Sequence, residues 1–172
     1  MKHKLGVDIG RVIIHGDGPD SSFVGASSVE EALRAPAMDG ALEALARLVE
    51  LFDRRVWLVS KCGQKVQERT RLWLEHHRFY AVTGLPPENL RFCRERKEKA
   101  PICVKLGITM FVDDRLDVLR HMAGLVPYRF LFGSPSSPDP GVAPAPTWIS
   151  AEAQITALLS EDHPGTRAAR LP

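Results

Sequence analysis

No stretch of this 172-residue chain is apolar over the roughly 20 residues that a bilayer-crossing helix requires. Cysteine is scarce as well. Cys62, Cys93 and Cys103 are odd in number and include no CxxC pair, so neither a disulfide framework nor a zinc site is indicated. The first residues, Met-Lys-His-Lys-Leu, run straight into a strand-like segment and leave no room for the apolar core of a signal peptide; the expected location is the cytoplasm. Gly16-Asp17-Gly18 lacks the third glycine and the strand-to-helix setting of a dinucleotide loop. No basic-aromatic motif is present for stacking bases, so nucleic acid is not an indicated partner. What remains is 44% hydrophobic and 26% charged residues, the composition of a globular protein long enough to bury a real core.

The net charge of +2 conceals a division along the chain. Residues 54–105 carry 13 Lys/Arg against 5 Asp/Glu, whereas residues 1–53 carry 5 against 9 and residues 106–172 carry 5 against 7. A basic middle between acidic flanks suits an anionic ligand held together with a cation. Apolar runs occur at Leu5-Gly6-Val7, Val56 to Val59, Leu90 to Cys93, Met110-Phe111-Val112 and Tyr128 to Phe132. Between them lie helical patterns: one beginning near Asp39 as N-cap, one from Gln64 to about His77, one from Pro101 to Leu106 and one from Leu116 to Ala123. Uninterrupted apolar strands alternating with helices predict a Rossmann-like parallel sheet of about five strands, covered on both faces. Residues 1–160 are read as one α/β domain. Within it, residues 133–147, with five prolines, are expected to be an extended connector and 148–160 a last helix; residues 161–172 are expected to be a flexible tail.

Ligands of such sheets bind at the carboxyl ends of the strands. Three of the predicted strands end in Asp8, in Ser60 and in the pair Asp113–Asp114. Carboxylates gathered there repel one another unless a cation offsets them. Mg²⁺ fits best, because it takes few protein carboxylates and keeps water and phosphate oxygens as its other ligands. Ser60 can hydrogen-bond a phosphate oxygen, and either Lys97 or Lys99 can neutralise it. Cys62, beside this site, is read as a small packed thiol.

The stretches Leu5-Gly6-Val7-Asp8-Ile9-Gly10, Leu58-Val59-Ser60-Lys61, Lys99-Ala100-Pro101 and Phe111-Val112-Asp113-Asp114 resemble, in order, the four motifs of the haloacid dehalogenase superfamily. The resemblance spans roughly residues 4–132. It implies a nucleophilic Asp8 that also binds Mg²⁺, with the carbonyl of Gly10 and Asp113 or Asp114 completing the metal site. It implies that Ser60 and Lys61 bind the phosphoryl group and that Lys99 neutralises it. The implied activity is Mg²⁺-dependent hydrolysis or transfer of phosphate groups through an aspartyl intermediate.

One position departs from the pattern. The superfamily's phosphatases carry a second Asp, their general acid/base, two residues after the nucleophile; here that residue is Gly10. Loss of a positioned acid/base costs about 10²–10⁴ in rate. Two readings follow: an enzyme that acts without this group, or a catalytically impaired binding or regulatory protein. His15 and Asp17, just beyond, are the alternative proton donors. Residues 11–38 are too short for a folded lid, so a bulky phosphorylated substrate or a second copy of the chain would have to close the site.

Overall fold

A computed structural model of the chain describes residues 2–16 and 22–161. In chain order its elements are β1 (Leu5–Val7), α1 (Ser22–Gly25), α2 (Val29–Leu33), α3 (Ala41–Leu51), β2 (Val56–Lys61), α4 (Gln64–His76), α5 (Phe79–Thr83), β3 (Leu90–Cys93), α6 (Lys99–Leu106), β4 (Met110–Asp113), α7 (Leu116–His121), β5 (Tyr128–Phe132), β6 (Ala143–Ala145) and α8 (Trp148–Glu161). The strands form one sheet in the order β3-β2-β1-β4-β5-β6, and every neighbouring pair is parallel. This is the expected Rossmann-like sheet, with β1 at its centre. Among the described residues no helix is long and apolar enough to cross a membrane.

Strand pleating divides the core. Leu5, Val7, Val56, Leu58, Met110 and Val112 join the cluster on one face. Val59 and Phe111, two of the alternating residues, join the cluster on the other face with Ala100 and Cys103 of α6 and Val118 and Leu119 of α7. The alternation continues past the apolar run. Asp8 and Asp113 have the parity of Phe111, so both are directed toward the face that α6 covers.

Gly6 pairs in register with Phe111 of β4. A Cβ at Gly6 would run into the Phe111 ring, which is fully buried and has nowhere to move. The central strand is therefore glycine at this position for reasons of close approach.

Some local structure differs from the sequence reading. The helix after Asp39 is capped by Gly40, with φ 72°, a left-handed conformation that glycine adopts at low cost. Within the proline-rich 133–147 stretch, Ala143–Ala145 form β6 beside β5. Pro144 is tolerated there because β6 is an edge strand. The short helix α2 packs by the side of α4: the Trp73 indole donates to the Ala35 carbonyl at 2.7 Å, and the His77 ring lies 2.9 Å from the Leu33 carbonyl, while Arg69 of α4 donates to the Val24 carbonyl of α1 at 3.4 Å. Asp17 and residues 162–172 lie outside the described residues.

Gly6→Ala is expected to destabilise the fold by about 1–3 kcal/mol through overpacking, measured by urea denaturation. A second change, Phe111→Leu, should recover part of that loss; no recovery would mean that the Gly6 contact is not the cause.

Candidate active site and metal centre

The register Val7↔Val112 sets Asp8 beside Asp113, and the Asp8 amide extends the pairing by donating to the Val112 carbonyl at 2.9 Å. Asp8, Asp113 and Asp114 each offer a carboxylate oxygen within 4.8 Å of the others. Lys99 lies between two of them. Its Nζ is 2.8 Å from Asp8 Oδ1 and 2.7 Å from Asp113 Oδ2, and 5.8 Å from the centre of the Phe111 ring beneath. Lys99 is brought there by the first turn of α6. That helix is preceded by a single 3₁₀ turn, Arg96–Glu98, whose start is closed by a reciprocal capping box between Glu95 and Glu98. Lys97 points away and pairs at the surface with Glu95 at 2.9 Å. Of the two lysines that the sequence left open, Lys99 is the one in the site.

The three carboxylates are not equivalent. Asp113 is fully buried. One of its oxygens receives Lys99, and the other accepts the Arg115 backbone N–H at 2.9 Å. Asp8 and Asp114 line a cavity of roughly 290 Å³ at the strand ends, and Asp113 does not. Asp114 also has Arg11 Nη1 at 3.9 Å.

Burial alone would discharge Lys99, but the Asp8 and Asp113 carboxylates outweigh it and hold the ammonium charged. Burial and then the neighbouring Asp8 push the Asp113 and Asp114 carboxyls upward. These two directions agree: one lysine cannot neutralise three clustered carboxylates. A hard divalent cation fits the excess negative charge and the all-oxygen donor set. The same cavity takes Ser60 and Lys61 from the end of β2 and the backbone of Gly10. Cys62 lines it too, but burial raises its thiol to about 11, so it is no nucleophile near neutrality.

The chain turns tightly after Asp8. The amides of Val12, Ile13 and Ile14 converge on the Ile9 carbonyl, and the Trp148 indole of α8 donates to the Val12 carbonyl at 2.7 Å. At the centre of this turn, a Cβ built on Gly10 meets nothing within 4 Å, and Gly10 has no positive φ. A side chain therefore has room to begin here. Arg11 follows with φ 60°, an uncommon conformation for a residue with a side chain. His15 is not among the described residues that line the cavity.

Sequence reading missed Arg11, Arg96 and Arg115, which line the cavity with Lys61 and Lys99. The signal available was adjacency, since Arg11 follows Gly10 and Arg115 follows the acidic pair. It also missed Phe23 and Val24 of α1, which line the cavity from a segment with no motif.

No protein-family model matches the chain, and no curated protein matches it. Solved structures do. One is a haloacid dehalogenase-like family hydrolase from Xanthomonas campestris, at TM-score 0.57 and 14% identity, covering 77% of this chain. The chain spans 60% of the length of that protein. At this identity the likeness is one of fold: a haloacid dehalogenase-like core, with no cap domain among the described residues.

Lys99→Met, close to lysine in size, should destabilise the protein by roughly 3–5 kcal/mol, because it strands buried charge. Without the lysine, which holds it down, the buried Asp113 carboxyl is pushed further up than burial and Asp8 already push it. The penalty therefore grows as pH rises toward the raised folded-state pKa and shrinks as the carboxyl protonates on acidification. Urea denaturation at pH 7.5 and at pH 5 checks both the size and the sign. Millimolar Mg²⁺ should raise the melting temperature of the unaltered chain by mass action, and the shift should vanish in Asp8→Asn/Asp114→Asn.

Proposed function

We propose that the chain is a Mg²⁺-dependent hydrolase or phosphotransferase of phosphate esters, of the haloacid dehalogenase superfamily, and that Asp8 is its nucleophile. The observation that carries this reading is the Lys99 bridge. An ammonium held 2.8 Å from Asp8 Oδ1 tethers one oxygen of a carboxylate that lines the cavity. A carboxylate needed only to cap or to brace would not require a buried cation and an open cavity together.

The residue roles follow from position. Asp8, Asp114 and the Gly10 carbonyl would hold Mg²⁺, which when bound offsets the charge of the phosphoryl group. Asp113, with both oxygens engaged by Lys99 and the Arg115 amide, anchors the lysine from behind. Ser60 and Lys61 would bind the phosphoryl oxygens, and Lys99 would neutralise charge building up there. Asp8 attacks phosphorus, the bond to the leaving oxygen breaks, and that oxygen departs with the electron pair. Water then attacks phosphorus of the aspartyl phosphate, releasing inorganic phosphate and restoring the Asp8 carboxylate.

A second reading, a binding or regulatory protein with impaired catalysis, is favoured by Gly10, which has no proton to give. The two readings separate in one experiment. With Mg²⁺, the hydrolase should cleave 4-nitrophenyl phosphate, and acid quenching should trap phosphate on the chain; Asp8→Asn should lose both. Gly10→Asp, placed in open space, should raise the rate on alkyl phosphates by about 10-fold or more, within the range that a positioned acid supplies. Absence of turnover and of trapped phosphate, with Gly10→Asp equally silent, would favour the binding protein.

A further inference from the structure

The candidate cavity has three kinds of wall, one of them the basic side chains of Arg11, Lys61, Arg96 and Arg115. At its carboxylate end stand Asp8, Ser60, Lys99 and Asp114. A third, apolar stretch includes Ile14 from the turn after β1, Phe23 and Val24 from α1, and Val66 from the first turn of α4. Ile14 and Phe23 are rooted in the core, whereas Val24 is 47% exposed and Val66 partly so. Thr70, one turn beyond Val66, also borders the cavity, but its hydroxyl is spent on the Val66 carbonyl at 2.8 Å. This wall therefore offers a ligand apolar contact and little hydrogen bonding.

A phosphate ion alone would need no such wall. The cavity continues past the phosphoryl end, so what lies against the apolar residues is the group to which phosphorus is bonded. At roughly 290 Å³ the cavity is at the small end of ligand pockets, which run from about 300 to 1,000 Å³. That volume suits one ring beside the phosphoryl group.

Gly10 supplies an independent constraint. Without an acid at that position, a leaving oxygen that can depart unprotonated is favoured. A phenol, with a pKa of about 10 as in tyrosine, can do so far more readily than an aliphatic alcohol, whose hydroxyl is far less acidic. Shape, polarity and proton supply converge on one chemical class.

We infer that the substrate is a small phosphate monoester of an aromatic alcohol, with its ring seated against Ile14, Phe23, Val24 and Val66. The inference rests on the hydrolase reading for the chemistry, but the ring subsite is separable from it. In the step itself, the Asp8–phosphorus bond forms as the phosphorus–aryl oxygen bond breaks. The phenolate leaves with the electron pair and takes its proton from solvent. Water later cleaves the aspartyl phosphate to inorganic phosphate.

The test uses the full chain with Mg²⁺ and two readouts. Calorimetry compares phenylphosphonate with methylphosphonate, neither of which can be hydrolysed; the phenyl compound should bind about ten-fold tighter or better, as apolar pocket contacts provide. Kinetics compare phenyl phosphate with acetyl phosphate, whose leaving group is also of low pKa but has no ring. Val24→Ser and Val66→Thr, chosen because one is half exposed and the other keeps its volume, should each lower the ratio of kcat/KM for phenyl over acetyl phosphate about ten-fold. Circular dichroism confirms that the variants fold. Turnover with no phenyl preference, or a ratio that neither variant moves, overturns the ring subsite and leaves the hydrolase reading standing. Tighter phenylphosphonate binding that the variants abolish, with no turnover of any ester, upholds the subsite and overturns the hydrolase. Equal, weak binding of both phosphonates without turnover overturns both.

Discussion

The buried ammonium of Lys99 is the constraint around which the rest of this molecule is arranged. Two carboxylates within 3 Å of a nearly solvent-free lysine can be accommodated only if every participant is held in place, because a slip of one leaves the others buried and unpaired. The fold meets that demand with rigid parts. Asp8 and Asp113 come from adjacent parallel strands at the sheet centre, and Lys99 from a helix whose entry is closed by a capping box. The Phe111 ring supports the lysine, and Gly6 leaves space for that ring. Such a pair adds little net stability compared with an apolar substitute. It stands at the inner end of a cavity lined by Asp8 and Lys99.

Charge around the site follows a graded pattern. The floor carries an excess of carboxylate that one lysine leaves uncompensated, and it calls for a cation. Above the floor the walls bring Arg11, Lys61, Arg96 and Arg115, which suit an anion. A cation held by these carboxylates, with basic side chains around it, would complement a phosphoryl group, whose oxygens could be shared between the two. The three buried thiols take no part, since burial raises each of them and holds it neutral.

The segment after β1 does two things with few residues. Its turn is tied to the Ile9 carbonyl and to Trp148, which holds Gly10 next to the site. Its short helices then return across α4 and contribute an apolar wall where a lid domain would otherwise stand. The wall and the missing acid at Gly10 are separate features of the chain, yet they constrain the same end of a ligand.

The sequence by itself determined the alternation of strands and helices, the strand ends at Asp8, Ser60 and Asp113–Asp114, and the presence of a lysine at the start of a helix. These are local properties: apolar runs, turn residues and short-range order along the chain. It could not choose between Lys97 and Lys99, because both sit in one charged run and only the phase of α6 turns one of them inward. Nor could it distinguish Asp113 from Asp114, since strand parity and the Arg115 amide, not residue type, make one an anchor and the other a cavity wall. The strand at Ala143–Ala145 was hidden by prolines that an edge position tolerates. Phe23, Val24, Arg11 and Arg96 joined the site only when the sheet brought five separate segments to one end, for proximity across so many residues is a property of packing and leaves no trace in local sequence.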